Sequence, residues 1–392
     1  MIYLFYNIFV IFLASSLFPF LLIYLFKTGK IPYFFQYFGY YGKHRKEIHH
    51  LFHAVSVGEA KSIIEVSRRL EGKSVITTTC IPVINYLKRN YPECECVFYP
   101  LDTKFTVRLL LDTFKVRGVY ISEVDYWPCL LKEARDRMLP VCILNARISE
   151  GTYRFMSFFR SFWVELFKGV DMIIVQNQNM NRYFETFVEK RKLLFLGNLK
   201  FENNLDKTSD KKGLFIAGST HWPEEKYILE AADKIDIRTV IAPRNMSSID
   251  NILAYAKSKN IDVSLYSEKG MAEKIIIMDT FGILSSLYKD ALFSYVGGGF
   301  TRTGVHSFLE PASYGCPFFI GPNIKNFKVE AEEFDEVLIK VNKIEDIKDK
   351  IIDLYKDKQS VQSKTEKIKS IVMKNSGVAK KIAKFIMVNM YG

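Results

Sequence analysis

From His49 onward two hydrophobic periods alternate along the chain. Short apolar runs that end in a polar residue or glycine read as strands, and the segments between them carry apolar positions at helical spacing. In the first half, strands are predicted over 50–55, 75–79, 97–99, 119–122, 140–145, 171–176 and 193–196, with helices over 60–70, 81–89, 105–114 and 127–137. A second alternation starts at 213, with strands over 213–217, 239–242, 263–266, 275–278 and 291–296 and helices over 223–234, 248–259 and up to 288. The charged stretch 202–212 reads as the linker between the two, and from 343 the chain is helical, Lys-rich and amphipathic to its end. Such a rhythm predicts an α/β protein with two parallel, doubly wound sheets. Ligands of these sheets bind beyond the carboxyl ends of the strands. Glu59, Asp102, Glu123 and Asn145 fall at that edge of the first sheet and are expected to converge there.

Two segments depart from the alternation. Residues 2–26 contain no charged residue and suffice to cross about 30 Å of hydrocarbon as one helix, with a kink at Pro19. No small-residue cleavage site follows, so an uncleaved transmembrane helix is expected over 1–26, the alternative being a helix that lies on a membrane or in a core. No Lys or Arg precedes the segment, whereas Lys27, Lys30, Lys43, Arg45 and Lys46 follow it, which puts the bulk of the chain on the cytoplasmic side. Residues 151–168 form a basic, aromatic helix carrying Phe155, Phe158, Phe159, Phe162, Trp163 and Phe167 beside Arg154, Arg160 and Lys168. Its wide apolar face fits a membrane surface or an acyl chain, and equally a buried crossover. The expected order is thus an anchor over 1–26, Rossmann-like domains over 27–205 and 206–370, and a C-terminal helix over 371–392.

Composition narrows the partners. The net charge is +12, from 55 Lys+Arg against 43 Asp+Glu, which fits an anionic substrate, an anionic membrane surface or nucleic acid. No zinc-finger spacing or RNA-binding aromatic signature is present, so no nucleic acid is expected. Six cysteines without a C-x-x-C pair make neither a disulfide framework nor a metal site, and free thiols fit a reducing compartment.

The chemistry concentrates in residues 297–322. Gly297, Gly298 and Gly299 follow an apolar strand and permit close backbone approach. His306, Ser307 and Glu310 then lead into a helix, whose first N–H groups suit a phosphate while the carboxylate suits ribose hydroxyls. An early G-x-G-x-x-G and a P-loop are both missing, which counts against dinucleotide and P-loop chemistry. A D-x-D after a strand is missing too, so no metal and no cofactor is expected. Two doubly wound domains around a central cleft describe, among others, a GT-B-type glycosyltransferase.

Ordered motifs bring in a resemblance. H-A-V-S-V-G-E ending at Glu59, S-E-V-D-Y-W-P from Ser122, L-N-A-R-I-S-E from Leu144, G-N-L-K-F from Gly197, G-S-T-H from Gly218, A-P-R from Ala242, D-T-F-G-I-L from Asp279 and H-S-F-L-E-P from His306 run in one order. Over 49–327 the chain resembles the 3-deoxy-D-manno-octulosonic acid (Kdo) transferases of lipopolysaccharide assembly. The resemblance implies an inverting, metal-independent GT-B enzyme at the inner membrane, moving Kdo from CMP-Kdo to a lipid A precursor. It implies that the first domain takes the acceptor and the second the CMP-sugar. Glu59 then matches the general base, and Glu123 and Lys200 match residues that stabilise the transition state. Pro243 and Arg244, then Gly282, Ile283 and Leu284, and finally Ser307, Phe308, Leu309 and Glu310 match CMP-contacting segments. Ser56, Gly58, His221, Gly298 and His306 stand beside these motifs as further candidates.

Elementary chemistry agrees with those roles. Inversion needs a base on the acceptor side and charge relief at the leaving phosphate. The dipole of the helix that Glu59 opens is expected to keep its carboxylate ionised. Arg244 can meet the phosphate with paired donors in place of a metal. One departure stands out: the family pattern G-G-H-N is Gly304-Val305-His306-Ser307 here, exchanging an amide for a hydroxyl. A sugar-nucleotide epimerase of the same fold, or a non-catalytic membrane module with a decayed nucleotide site, are the competing readings.

Overall fold

Among the described residues, two seven-stranded parallel sheets organise the protein. The computed structural model describes residues 2–28, 30–42, 49–201, 205, 213–280 and 282–391. Lys43, Arg45, Lys46, Phe281 and the expected linker 202–212, apart from Leu205, lie outside that set. The chain divides into a first unit, Met1–Lys200 with Gly377–Gly392, and a second, Phe201–Ser376.

The first sheet comprises β1 (His50–His53), β2 (Ser74–Thr78), β3 (Glu95–Phe98), β4 (Gly118–Ser122), β5 (Val141–Ala146), β6 (Met172–Val175) and β7 (Leu193–Leu194). Their order is β3-β2-β1-β4-β5-β6-β7, all parallel. The strands are apolar on both faces because helices cover both. Leu51, Val119, Ile121 and Ile143 face one core, and their chain neighbours Phe52, Tyr120, Cys142 and Leu144 face the other.

The second sheet comprises β8 (Leu214–Thr220), β9 (Arg238–Pro243), β10 (Ser264–Leu265), β11 (Ile275–Ile277), β12 (Ala291–Val296), β13 (Phe318–Ile320) and β14 (Ile339–Lys340). Its order is β10-β11-β9-β8-β12-β13-β14, again all parallel. Each sheet therefore reverses its winding once, between β1 and β4 in the first and between β8 and β12 in the second. A crevice opens at such a reversal because the two flanking connections run to opposite faces.

Some elements differ from the sequence expectation. The apolar N-terminus is two helices, Ile2–Ser16 and Phe18–Lys27, instead of one. Pro19 has no N–H for the Ser15 carbonyl, and the helix stops at Leu17. Among the described residues no helix is long and apolar enough to cross a membrane. Residues 151–168 likewise split, into Glu150–Phe158 and Arg160–Phe167. Phe155, Phe158 and Phe159 are exposed, whereas Phe162, Trp163 and Phe167 pack into the first unit's core. The strand expected over 263–266 is only two residues long, because Tyr266 already starts a helical turn. Strands β13 and β14 were not foreseen. The last helix, Val378–Met390, returns to the first unit and buries Val378, Ile382, Ala383 and Ile386 with the helix Val57–Ser67.

Candidate functional sites at the two sheet reversals

In the first unit, β1 leads directly into the helix Val57–Ser67. Ser56 caps it by accepting the Glu59 N–H at 3.2 Å, and its hydroxyl donates to Glu59 Oε1 at 2.8 Å. Glu59 Oε2 accepts the Val55 N–H at 3.1 Å. The carboxylate is thereby pinned beside the end of β1, 9% exposed. Burial, followed by repulsion from Glu123, raises its pKa to about 7 against the opposing bonds from Val55 and Ser56. The expected ionising effect of the helix end is therefore outweighed. A carboxyl group that titrates near neutrality is suited to accept a proton there. Gly58 is exposed, and a Cβ on it would meet nothing nearer than Ser56 Oγ at 3.9 Å.

Glu123 follows β4, the strand beside β1, at a φ of 54° that a side chain rarely adopts. Its carboxylate is nearly buried and bridges two cations, with Lys200 Nζ 2.8 Å from Oε1 and Arg147 Nε 2.6 Å from Oε2. Asn145, also in the left-handed region at 56°, accepts the Leu199 N–H at 3.0 Å, and Asn198 accepts the Lys200 N–H at 2.9 Å. These two amides hold the loop that delivers Lys200. Asp102, by contrast, does not join the site. Its buried carboxylate accepts from Tyr99 Oη at 2.9 Å and from the N–H groups of Cys129 and Leu130 at 2.9 and 3.2 Å, and so caps the helix Pro128–Asp136.

In the second unit, β8 ends at Thr220-His221 and β12 runs into Gly297-Gly298-Gly299. Gly298 has a φ of 91°, and a Cβ there would lie 2.6 Å from the Gly304 carbonyl and 2.9 Å from the His306 ring. Glycine thus lets the loop fold back and present His306. His221 Nε2 and His306 Nε2 are 2.9 Å apart. Beneath them the buried carboxylate of Glu224 accepts the His221 N–H at 2.9 Å and the Gly298 N–H at 3.0 Å, tying the two loops together. Burial raises the Glu224 pKa to about 7. Arg244 follows β9, and its N–H donates to the Thr220 carbonyl at 2.9 Å. Burial and this guanidinium lower the pKa of both histidines, that of His306 to about 4.

The structure thus brings Glu59, Glu123 and Lys200 to one reversal, and His221, Gly298, Arg244 and His306 to the other. Leu284 and the buried Tyr288 pack under Gly218 of β8, and Glu310 acts on the Tyr288 hydroxyl electrostatically. Gly282 and Ile283 precede the short turn Leu284–Leu287, and Pro243 closes β9. Phe308 and Leu309 have side chains in the core, Phe308 stacked on Phe318 at 5.0 Å. The helix that follows Ser307 is only Leu309–Ser313, too short for the expected phosphate-binding N-terminus. Val305 is fully buried, which accounts for a side chain where the family pattern has glycine. Arg147 and Glu224 were not foreseen. Arg147 lies inside a quoted motif, and Glu224 stands three residues after His221, the spacing at which an acid reaches back to a helix-start N–H. Among the described residues no group of three or more His, Cys, Asp or Glu could hold a metal ion.

Residues 33–203 match a family model described as 3-deoxy-D-manno-octulosonic-acid transferase (kdotransferase). A 3-deoxy-D-manno-octulosonic acid transferase of Aquifex aeolicus is 28% identical over 279 residues, covering 69% of this chain and 75% of that protein. A bifunctional glycosyltransferase/methyltransferase of Fusobacterium nucleatum is 25% identical over 363 residues, 85% of this chain, which spans only 56% of that protein's length. Among solved structures, a glycosyltransferase from Rickettsia africae aligns with a TM-score of 0.58 at 13% identity, over 88% of this chain and 99% of its own. UDP-GlcNAc 2-epimerase from Neisseria meningitidis bound to UDP-GlcNAc aligns with a TM-score of 0.60 at 13% identity, over 88% and 100%. At such identities the structural likeness is one of fold.

Proposed function

Because the chain belongs to the 3-deoxy-D-manno-octulosonic acid (Kdo) transferase family, we propose that it is an inverting, metal-independent glycosyltransferase moving Kdo from CMP-Kdo to a lipid A precursor. The observation that carries this reading is Glu59, a carboxyl group titrating near neutrality at the reversal of the first sheet, beside the Glu123–Lys200 pair. In this reading the first unit takes the acceptor and the second the CMP-sugar. Glu59 removes the proton of the attacking acceptor hydroxyl. Lys200 and Arg147, held by Glu123, offer positive charge to the anionic sugar as its bond to phosphate lengthens. Arg244 meets the phosphate that departs with CMP. Backbone at Pro243, Gly282, Ile283, Leu284 and Ser307, with the Glu310 carboxylate, surrounds the nucleoside.

The acceptor is a lipid, and the N-terminal helices suit its surroundings. Tyr3 donates to the Glu165 carbonyl, and Asn7 accepts the Lys104 N–H, so this face rests on the first unit. Phe5, Phe9, Phe12, Phe20 and Phe26 stay exposed. Such a face stabilises a protein lying in the headgroup region without crossing it. We place it, with Phe155 and Phe158, against the cytoplasmic leaflet of the inner membrane.

Purified protein given CMP-Kdo and a lipid A precursor in detergent micelles should release CMP and yield a Kdo-bearing lipid. Glu59→Ala should abolish transfer and still bind CMP. Absence of CMP release from folded protein with several acceptors overturns the reading. Isomerised nucleotide sugar formed without acceptor supports an epimerase instead.

A further inference from the structure

We propose that His221 and His306 form a single proton-accepting unit that gains one proton when a phosphate group docks at the β8–β12 reversal. This rests on the donor-binding reading for the nucleotide probe, although the pair's own chemistry does not depend on which nucleotide binds.

The ring planes of the two imidazoles differ by 5° and their centroids are 5.1 Å apart. That separation exceeds the Nε2···Nε2 distance of 2.9 Å by about one ring width. The rings therefore meet edge to edge in nearly one plane, the geometry of a direct hydrogen bond instead of a face-to-face stack. Such a bond has one proton between its two nitrogens. One ring then donates through Nε2 and has a bare Nδ1, while the other accepts at Nε2 and has its proton on Nδ1. The neutral pair offers one donor and one acceptor, turned away from the shared edge. One further proton on the bare Nδ1 leaves the central bond intact and makes both outer atoms donors. A second would set two Nε2–H groups against each other. The pair is thus built to hold one positive charge and no more.

Among the described residues, the carboxylates nearest the pair are engaged by other groups. The Glu224 carboxylate lies behind the pair and is engaged by the His221 and Gly298 N–H groups, and Glu225 accepts the Thr220 hydroxyl at 2.8 Å. Tyr295 is buried in the strand beneath. Lys325, beside Gly304, donates to the Arg302 carbonyl. Arg244 is exposed and, among the described residues, forms no ion pair. Burial, and then the Arg244 guanidinium, favour the neutral imidazoles. A phosphate removes that bias and reverses its sign. When the C–O bond to the sugar breaks, its electron pair stays on phosphate, which becomes a monoester of about −1.5 to −2 charge. The proton taken from solvent by the pair then faces the charge that has grown on the leaving group.

The test is an NMR titration of the full-length protein, labelled at histidine, from acid to mildly alkaline pH. It is run without ligand, with CMP and with inorganic phosphate, and His221→Gln and His306→Gln supply the assignments. With CMP saturating, both imidazoles should move together through one midpoint raised by at least one pH unit. Each unit of that rise should make CMP bind roughly tenfold tighter below the free midpoint than above the bound one. Either glutamine variant should bind CMP with its pH dependence largely lost. A midpoint unchanged in the CMP complex, or two independent titrations, overturns the proposal. If CMP fails to bind while phosphate still raises the midpoint, the donor assignment falls and the pair stands. If phosphate also leaves it unmoved, the pair falls.

Discussion

Lys200 Nζ lies 2.8 Å from Glu123 Oε1, and the carboxylate's other oxygen is held by Arg147. Glu123 is almost fully buried and Lys200 only partly so, which makes the lysine the replaceable member. Removing one partner of a buried pair leaves a charge without compensation. Because Arg147 remains, Lys200→Met should destabilise the first unit by only about 1–2 kcal/mol, below the ~3–5 typical of a fully orphaned charge. Transfer should fall by two or more orders of magnitude in kcat, with CMP affinity unchanged. Denaturant unfolding and steady-state kinetics check the two parts. A change in CMP affinity alone would place Lys200 elsewhere in the mechanism.

Glu59 links catalysis to stability through pH. Its pKa in the folded chain is about 7, above the ordinary value of 4.5. Between those values the folded protein holds a proton that the unfolded chain has lost, so stability declines as pH rises through that window and then levels off. Transfer needs the ionised form and should rise with pH to a plateau, with a midpoint near 7. Glu59→Gln should be inactive yet about 1–3 kcal/mol more stable at pH 8, since it removes a poorly solvated charge. The Ser56 hydroxyl can reverse to accept from the new amide. A pH–rate profile and thermal unfolding at two pH values suffice. A midpoint near 4.5 would remove Glu59 from the base role.

Glu224 touches no nucleotide in this scheme and acts through the loops it joins. Glu224→Ala leaves the N–H groups of His221 and Gly298 without their acceptor in a buried site and should cost about 2–4 kcal/mol. Glu224→Gln retains an acceptor oxygen and should cost less than half as much. CMP affinity should follow the same order. Equal losses in both variants would mean that charge, and not the bridge, matters.

Membrane attachment has its own variant. Phe5, Phe9 and Phe12 are 65%, 60% and 67% exposed, so serine at all three should leave the unfolding midpoint unchanged. Each phenylalanine contributes up to about 1.5–3 kcal/mol when transferred from water to an apolar phase. Sedimentation with vesicles of anionic phospholipid should therefore weaken more than tenfold. Undiminished binding would assign the contact to Phe155 and Phe158 or to the basic surface.

Much of this was readable along the chain. Strand–helix alternation gives two parallel sheets because a strand covered on both faces is apolar throughout, as in Leu51-Phe52 or Ile275-Ile276-Ile277. Residues just past a strand, such as Glu59, Glu123, His221 and Arg244, can be picked out because a sheet presents its chemistry at that edge. Strand order is another matter. Only the folded molecule sets β1 beside β4 and β8 beside β12, and so separates Asp102, which became a helix cap, from Glu123, which did not. The His221–His306 contact spans 85 positions and the Glu224–Gly298 bond 74, distances at which periodicity carries no information. Apolarity likewise announced an N-terminal helix, but the missing N–H of Pro19 and the docking of Tyr3 and Asn7 set its length and resting place. Local pattern is written in neighbouring side chains, whereas partners, burial and proton affinity arise from groups that meet only once the chain has closed on itself.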